Sequence, residues 1–168
     1  KWLETIIFAP MIIPDIVLAI ALLSFFSLLG VRMGLQTIIV SHVVFNLAFV
    51  CAVVRARLKS FDWSIVEASA DLGASTITTL IRVVIPVLIP AIVAGALLAF
   101  TLSVDEFIIA FFTAGAGRSS ITLPMQIYAM IRFGVTPEIN ALATIVMTVS
   151  VVALALSQRL NKGGLPGQ

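Results

Sequence analysis

The chain has 168 residues, 61% of them hydrophobic and 11% charged. That leaves too few polar side chains to cover a soluble domain, and a mean hydropathy of +1.19 accompanies several runs long enough to cross a bilayer. A net charge of +2 and a pI near 9.1 do not point to nucleic acid, because the basic residues flank apolar runs and form no stripe.

The first predicted span covers residues 5–30 and is interrupted by Pro10 and Pro14. Pro14 is placed at the first helical position with Asp15 in the first turn, where a carboxylate suits the helix dipole. The bend is open to two readings, a plain structural kink or a bend beside a transport path. A short connection, Gly30-Val31-Arg32-Met33-Gly34, leads to a second span over residues 35–54, which ends at Arg55, Arg57 and Lys59. His42 and Asn46 stand four residues apart on one face of that span, as a polar contact between helices or a site on a path. With no second His and no carboxylate on the same helix, metal ligation has little support. The lone Cys51 excludes an internal disulfide and reads as a small buried hydrophobe.

A polar, turn-punctuated stretch follows. A helix over 62–72 is expected, with Asp62 as its cap and Phe61 and Val66 as a hydrophobic staple. Gly73 ends it in a left-handed conformation. Ser75 caps a second helix with Ile77, Leu80, Ile81 and Val84 at helical spacing. The product is a helix–turn–helix outside the bilayer. A third span is expected over 85–112, opening with Pro86 and Pro90 and carrying Asp105 and Glu106 in its outer half. Ionisable groups at that depth are costly unless they face protein or water, and adjacent helical residues point about 100° apart, so both can hardly line one narrow path.

Residues 113–137 read as an outer loop with a short amphipathic helix from Pro124 to Phe133, stopped by Gly134. Thr136, Pro137 and Glu138 begin the last span as cap, first helical residue and first-turn acid, and the span runs to about Ser157. With the Glu67 stretch cytoplasmic, the inner side carries Lys1, Arg55, Arg57, Lys59, Arg82, Arg159 and Lys162, against Arg32, Arg118 and Arg132 outside. That asymmetry follows the positive-inside rule. There is no phosphate-binding loop, since Gly115-Ala116-Gly117-Arg118 lacks both spacing and lysine, and no metal, nucleophile or triad pattern. The fold expected is an all-α polytopic membrane protein with four transmembrane helices and a cytoplasmic helix–turn–helix.

Glu67, Ala68 and Gly73, followed by Val83-x-Ile85-Pro86, resemble the EAA loop of ABC importer permeases at the right spacing, with Ser69 in place of the second alanine. The run Ser103-Val104-Asp105-Glu106-Phe107 and the stretch from Leu123 through Tyr128 to Thr144 look like the spermidine/putrescine importer permeases. The resemblance implies that Glu67, Ala68, Ser69, Asp71, Leu72, Gly73 and Pro86 belong to a loop that couples to ATP-binding cassette ATPase subunits. Asp105, Glu106 and Tyr128 are then candidates for the substrate path. It implies no cofactor on this chain, with ATP and magnesium held by the partner ATPase, and a heterodimer with a second permease subunit. It also implies a periplasmic or lipid-anchored substrate-binding protein, membrane lipid around the subunit, no nucleic acid, and a multi-pass place in the bacterial cytoplasmic membrane. Residues 1–160 would be one N-terminally truncated permease domain with 161–168 as a cytoplasmic tail, and a further pair of spans, of six in all, would precede Lys1. Ferric ion or thiamine as cargo, or a secondary carrier or channel needing no ATPase, are the alternatives.

Overall fold

Pro14 divides the first apolar run. In a computed structural model, which describes residues 2–132, 134 and 137–162, helix α1 (Trp2–Ile12) and helix α2 (Asp15–Leu28) meet at 113°. The expected span over 5–30 is thus two helices that meet at a sharp bend, at the proline expected to interrupt it. Pro10 stays inside α1, whereas Pro14 has extended backbone, φ −56° and ψ 136°, and stands just before α2. Its ring expels the preceding residue from helical geometry and it offers no N–H to continue a helix. Asp15 does occupy the first turn of α2.

Helix α3 (Leu35–Lys59) is 25 residues long, roughly 37 Å, and continues five residues past the expected end. Arg57 and Lys59 lie in its last turn, where cations suit the dipole. Helix α4 (Ser64–Asp71) and helix α5 (Thr76–Thr79) form a hairpin. From α5 the chain does not pause before the third span. It passes through a π turn (Leu80–Val84) into helix α6 (Ile85–Asp105), so that Thr76–Asp105 is one 30-residue helix. The wide turn immediately precedes Pro86. A proline cannot supply the usual amide and crowds the carbonyl four residues back, and a π turn relieves both.

The third span also stops short of its expected end at Phe112. Glu106 is extended, with ψ 114°, and the chain resumes as the short helix α7 (Ile108–Thr113). Helix α8 (Leu123–Ile131) carries Pro124 in its first turn, and helix α9 (Pro137–Lys162) closes the described chain. The expected cap at Thr136, the end of α8 at Phe133 and the tail over 163–168 lie outside the described residues. Among the described residues, Leu35–Lys59, Thr76–Asp105 and Pro137–Leu156 are long and apolar enough to cross a membrane singly. The bent α1–α2 pair makes a fourth crossing only if counted as one broken span.

Helix α3 packs along α6, and α6 along α9. At the first seam Ala91, Ala94 and Gly95 are buried. A Cβ on Gly95 would stand 3.3 Å from Val50 Cγ1, so small residues set how closely the helices approach, as membrane interfaces require. Leu18, Ala19, Phe45 and Ile109 form the main core cluster, which clamps α7 between α2 and α3. The Thr37 hydroxyl fastens the C-terminal end of α7 by donating to Thr113 O at 2.6 Å.

Gly115, with φ +70°, brings the next loop against the α2–α3 connection, where an added Cβ would lie 2.5 Å from Met33 O. Gly115→Ala should therefore cost more than the roughly 1 kcal/mol of left-handed backbone alone, because a backbone carbonyl must also move. Thermal unfolding of the protein in detergent tests this. A midpoint as high as that of the unaltered protein would contradict the close approach.

Candidate functional site

The continuous helix Thr76–Asp105 carries polar chemistry at both ends. At its start, the hairpin is built from local caps. Gly73, at φ +79°, ends α4 with paired bonds from Gly73 N–H to Ala70 O (2.8 Å) and from Ala74 N–H to Ser69 O (3.1 Å). The Ser75 hydroxyl then accepts the Thr78 N–H at 3.3 Å and caps α5. At the other end of α4, the cap position falls to Trp63 and not to Asp62 as expected, since regular helix begins at Ser64; from one residue further out the Asp62 carboxylate still accepts the Ser64 N–H at 3.0 Å. Phe61 is buried and meets the Trp63 ring edge-on.

Glu67, Ala68, Asp71, Leu72 and Gly73 are all exposed on this hairpin, and Leu72 is 89% exposed. Pro86 is also exposed but stands on α6, beyond the π turn. Ser69 has a contact that the sequence did not reveal: its hydroxyl lies 2.9 Å from the Thr79 hydroxyl, tying the two arms together. Nothing lies within 4 Å of an added Cβ on Gly73. The hairpin is thus a pre-formed knob with two carboxylates four residues apart and an uncovered leucine at its tip.

At the far end, Asp105 and Glu106 part company. Asp105 lines a cavity of about 630 Å³ with Thr101, Phe107, Tyr128, Met147 and Ser150. Its two carboxylate oxygens lie 3.5 and 3.4 Å from the Ser150 hydroxyl on α9. The Phe107 and Tyr128 rings stand with centroids 4.9 Å apart. A carboxylate beside aromatic faces in a mostly apolar hollow suits a cation with an alkyl body. Tyr128 and Asp105, far apart in sequence, are thereby brought together. Glu106 instead turns back on its own chain and accepts the Ile109 N–H at 2.9 Å, capping α7. The break in the helix, and not the 100° spacing along a continuous one, separates the two acids.

The helix pairing brings a third carboxylate near the acidic pair, although Asp15 does not line the cavity. Helices α2 and α7 lie side by side, and Asp15 is close enough to Glu106 to act on it electrostatically. The signal available was an ionisable group inside an apolar run, the same mark that singled out Asp105 and Glu106. His42 makes an interhelical contact, with Nδ1 2.6 Å from Ser103 Oγ on α6. Asn46 donates to His42 O at 2.9 Å.

Residues 1–162 match the family described as binding-protein-dependent transport system inner membrane component. Similar proteins include the spermidine/putrescine transport system permease protein PotC of Escherichia coli K12, 43% identical over 161 residues. That match covers 96% of this chain and 60% of PotC. The putrescine transport system permease protein PotI of the same strain is 40% identical, covering 92% of this chain and 58% of PotI. The chain thus spans about three fifths of these relatives' length. The fold matches a chain of the MetNI methionine ABC transporter, solved in inward-facing conformations. The TM-score is 0.73 at 20% identity, over 98% of this chain and 73% of the other.

The Asp62–Ser64 contact gives a pH dependence to the hairpin. Hydrogen bonds from the Ser64 hydroxyl and N–H hold its carboxyl below the usual carboxylate range. A folded value below the unfolded one means that the stabilisation is present above the ordinary carboxylate pKa and lost as pH falls through the folded value. Protection of the Ser64 amide from hydrogen exchange, corrected for intrinsic rates, should drop on that acidification. Asp62→Ala should remove the pH dependence, and an unchanged profile in Asp62→Ala would refute the contact.

Proposed function

The chain belongs to the binding-protein-dependent transport system inner membrane component family, and from that premise we propose that it is the permease subunit of an ATP-driven importer of polyamines. The observation that supports this reading most directly is the cavity in which Asp105 stands beside the Phe107 and Tyr128 rings. A polyamine is a flexible alkyl chain with several ammonium groups. Desolvating one of them costs less where a carboxylate and aromatic faces replace water. The relatives whose names specify spermidine and putrescine support the same cargo.

In this reading the hairpin is the mechanical input. Separate ATPase subunits hold ATP and magnesium and receive the knob formed by Glu67, Ala68, Ser69, Asp71, Leu72 and Gly73. The single helix Thr76–Asp105, including Pro86, carries their motion to the cavity. A second permease subunit completes the path, and a substrate-binding protein delivers cargo at the outer side. The subunit sits in the bacterial cytoplasmic membrane with the hairpin facing inward.

Three substitutions separate the ends. Asp105→Asn should lower polyamine uptake about tenfold, equivalent to ~1.4 kcal/mol of barrier, while leaving assembly with the ATPase intact. Uptake equal to the unaltered protein in Asp105→Asn would sink the assignment of this cavity. At the hairpin, Gly73→Ala should be mild, since open space surrounds the position and only a backbone cost of roughly 1 kcal/mol remains. Gly73→Asp adds a charged group to the knob and should leave membrane insertion normal while abolishing substrate-stimulated ATP hydrolysis. Retained stimulation would show that the hairpin does not couple.

A further inference from the structure

We propose that His42 is a positioning residue for Asp105, acting through Ser103; the inference rests on the cavity reading above. Helical residues two apart point about 200° apart, so a Ser103 side chain fixed toward α3 places Asp105 on the opposite flank of α6, facing α9. The distances agree: Ser103 Oγ is 2.6 Å from His42 Nδ1 on α3, and Asp105 is 3.4 Å from Ser150 on α9. Thr101, four residues before Asp105, lines the cavity with it, as the same rotation requires.

The hydrogen bond lies where the helix most needs it. Helix α6 ends at Asp105, and Glu106 leaves helical geometry, so the last turn has no following turn to fix its rotation. His42 is 9% exposed and Asn46 7% exposed. The Asn46 side chain donates to the His42 carbonyl. The imidazole is thus a buried anchor on the central helix, and its short reach to Ser103 sets the direction of a carboxylate two residues on.

The test uses the full-length protein in its membrane complex. In a Cys51→Ser background, Asp105→Cys is labelled with a charged thiol reagent, and Ile121→Cys, exposed in the loop before α8 and outside the cavity lining, serves as control. His42→Leu and Ser103→Ala should each change the labelling rate at 105 about fivefold, as loss of one buried hydrogen bond implies. The double variant should change it no further. His42→Asn, which keeps a polar atom near the Nδ1 position, should restore it, and the rate at 121 should not move. An unchanged rate at 105, additive effects, or an equal change at 121 would overturn the proposal. With Asp105 native, His42→Leu should lower uptake, but it should lower it no further in Asp105→Asn. If Asp105→Asn transports normally, the cavity assignment fails, while the labelling result still decides whether His42 sets the position.

Discussion

The constraint on which the cavity end of this molecule depends is the backbone break at Glu106. Inside an apolar belt no water is available to satisfy the last carbonyls of α6 or the first amides of α7, so a broken helix survives only where protein supplies partners. Glu106 meets one amide with its own carboxylate, and Thr37 meets the carbonyl of Thr113 at the other end of the short helix. The core cluster of Leu18, Ala19, Phe45 and Ile109 then covers one side of the six-residue segment, while Phe111 stays exposed on the other. Without α2 and α3 around it, α7 would be far too short to persist alone.

Once the break is held, the two acids acquire different work. Glu106 is consumed by local hydrogen bonding, which leaves Asp105 as the carboxylate that opens onto the cavity. The long helix ending there is also the one that begins at the Ser75 cap, so the hairpin and the cavity are the two ends of a single rod. Close packing at Gly95 against Val50 holds that rod to α3. Rod and central helix therefore shift together more readily than they slide past each other.

What was legible in the sequence was local. Gly73 and Ser75 announced the hairpin because a left-handed turn and a helix cap each need particular residues at particular offsets. Apolar runs gave the long helices, and the acidic pair marked the place of interest. What escaped depends on pairings distant in sequence or on geometry that composition does not encode. The Ser69–Thr79 contact needs the turn between them to be built first. Pro14 signalled a break but not its 113° angle. The interruption after Asp105 lay hidden because Glu106, a good helix former by propensity, serves here as a cap, a choice decided by tertiary packing around α7.

The π turn at Leu80–Val84 closes with an Ile85 N–H bond to Leu80 O, five residues back, so it carries one more residue per turn than the helix on either side. The five residues of this wide turn cover about the rotation and rise that four cover in α-helix, so the surplus residue is absorbed locally and the hairpin keeps its phase relative to the cavity. Removing one codon there, so that the turn closes as ordinary α-helix, would leave the two ends in nearly the same relative orientation, whereas removing one from the regular part of α6 would swing the hairpin by about 100° about the helix axis and draw it in by about 1.5 Å. The wide turn is thus the place on the rod where a lineage could lose a residue without changing how either end is presented.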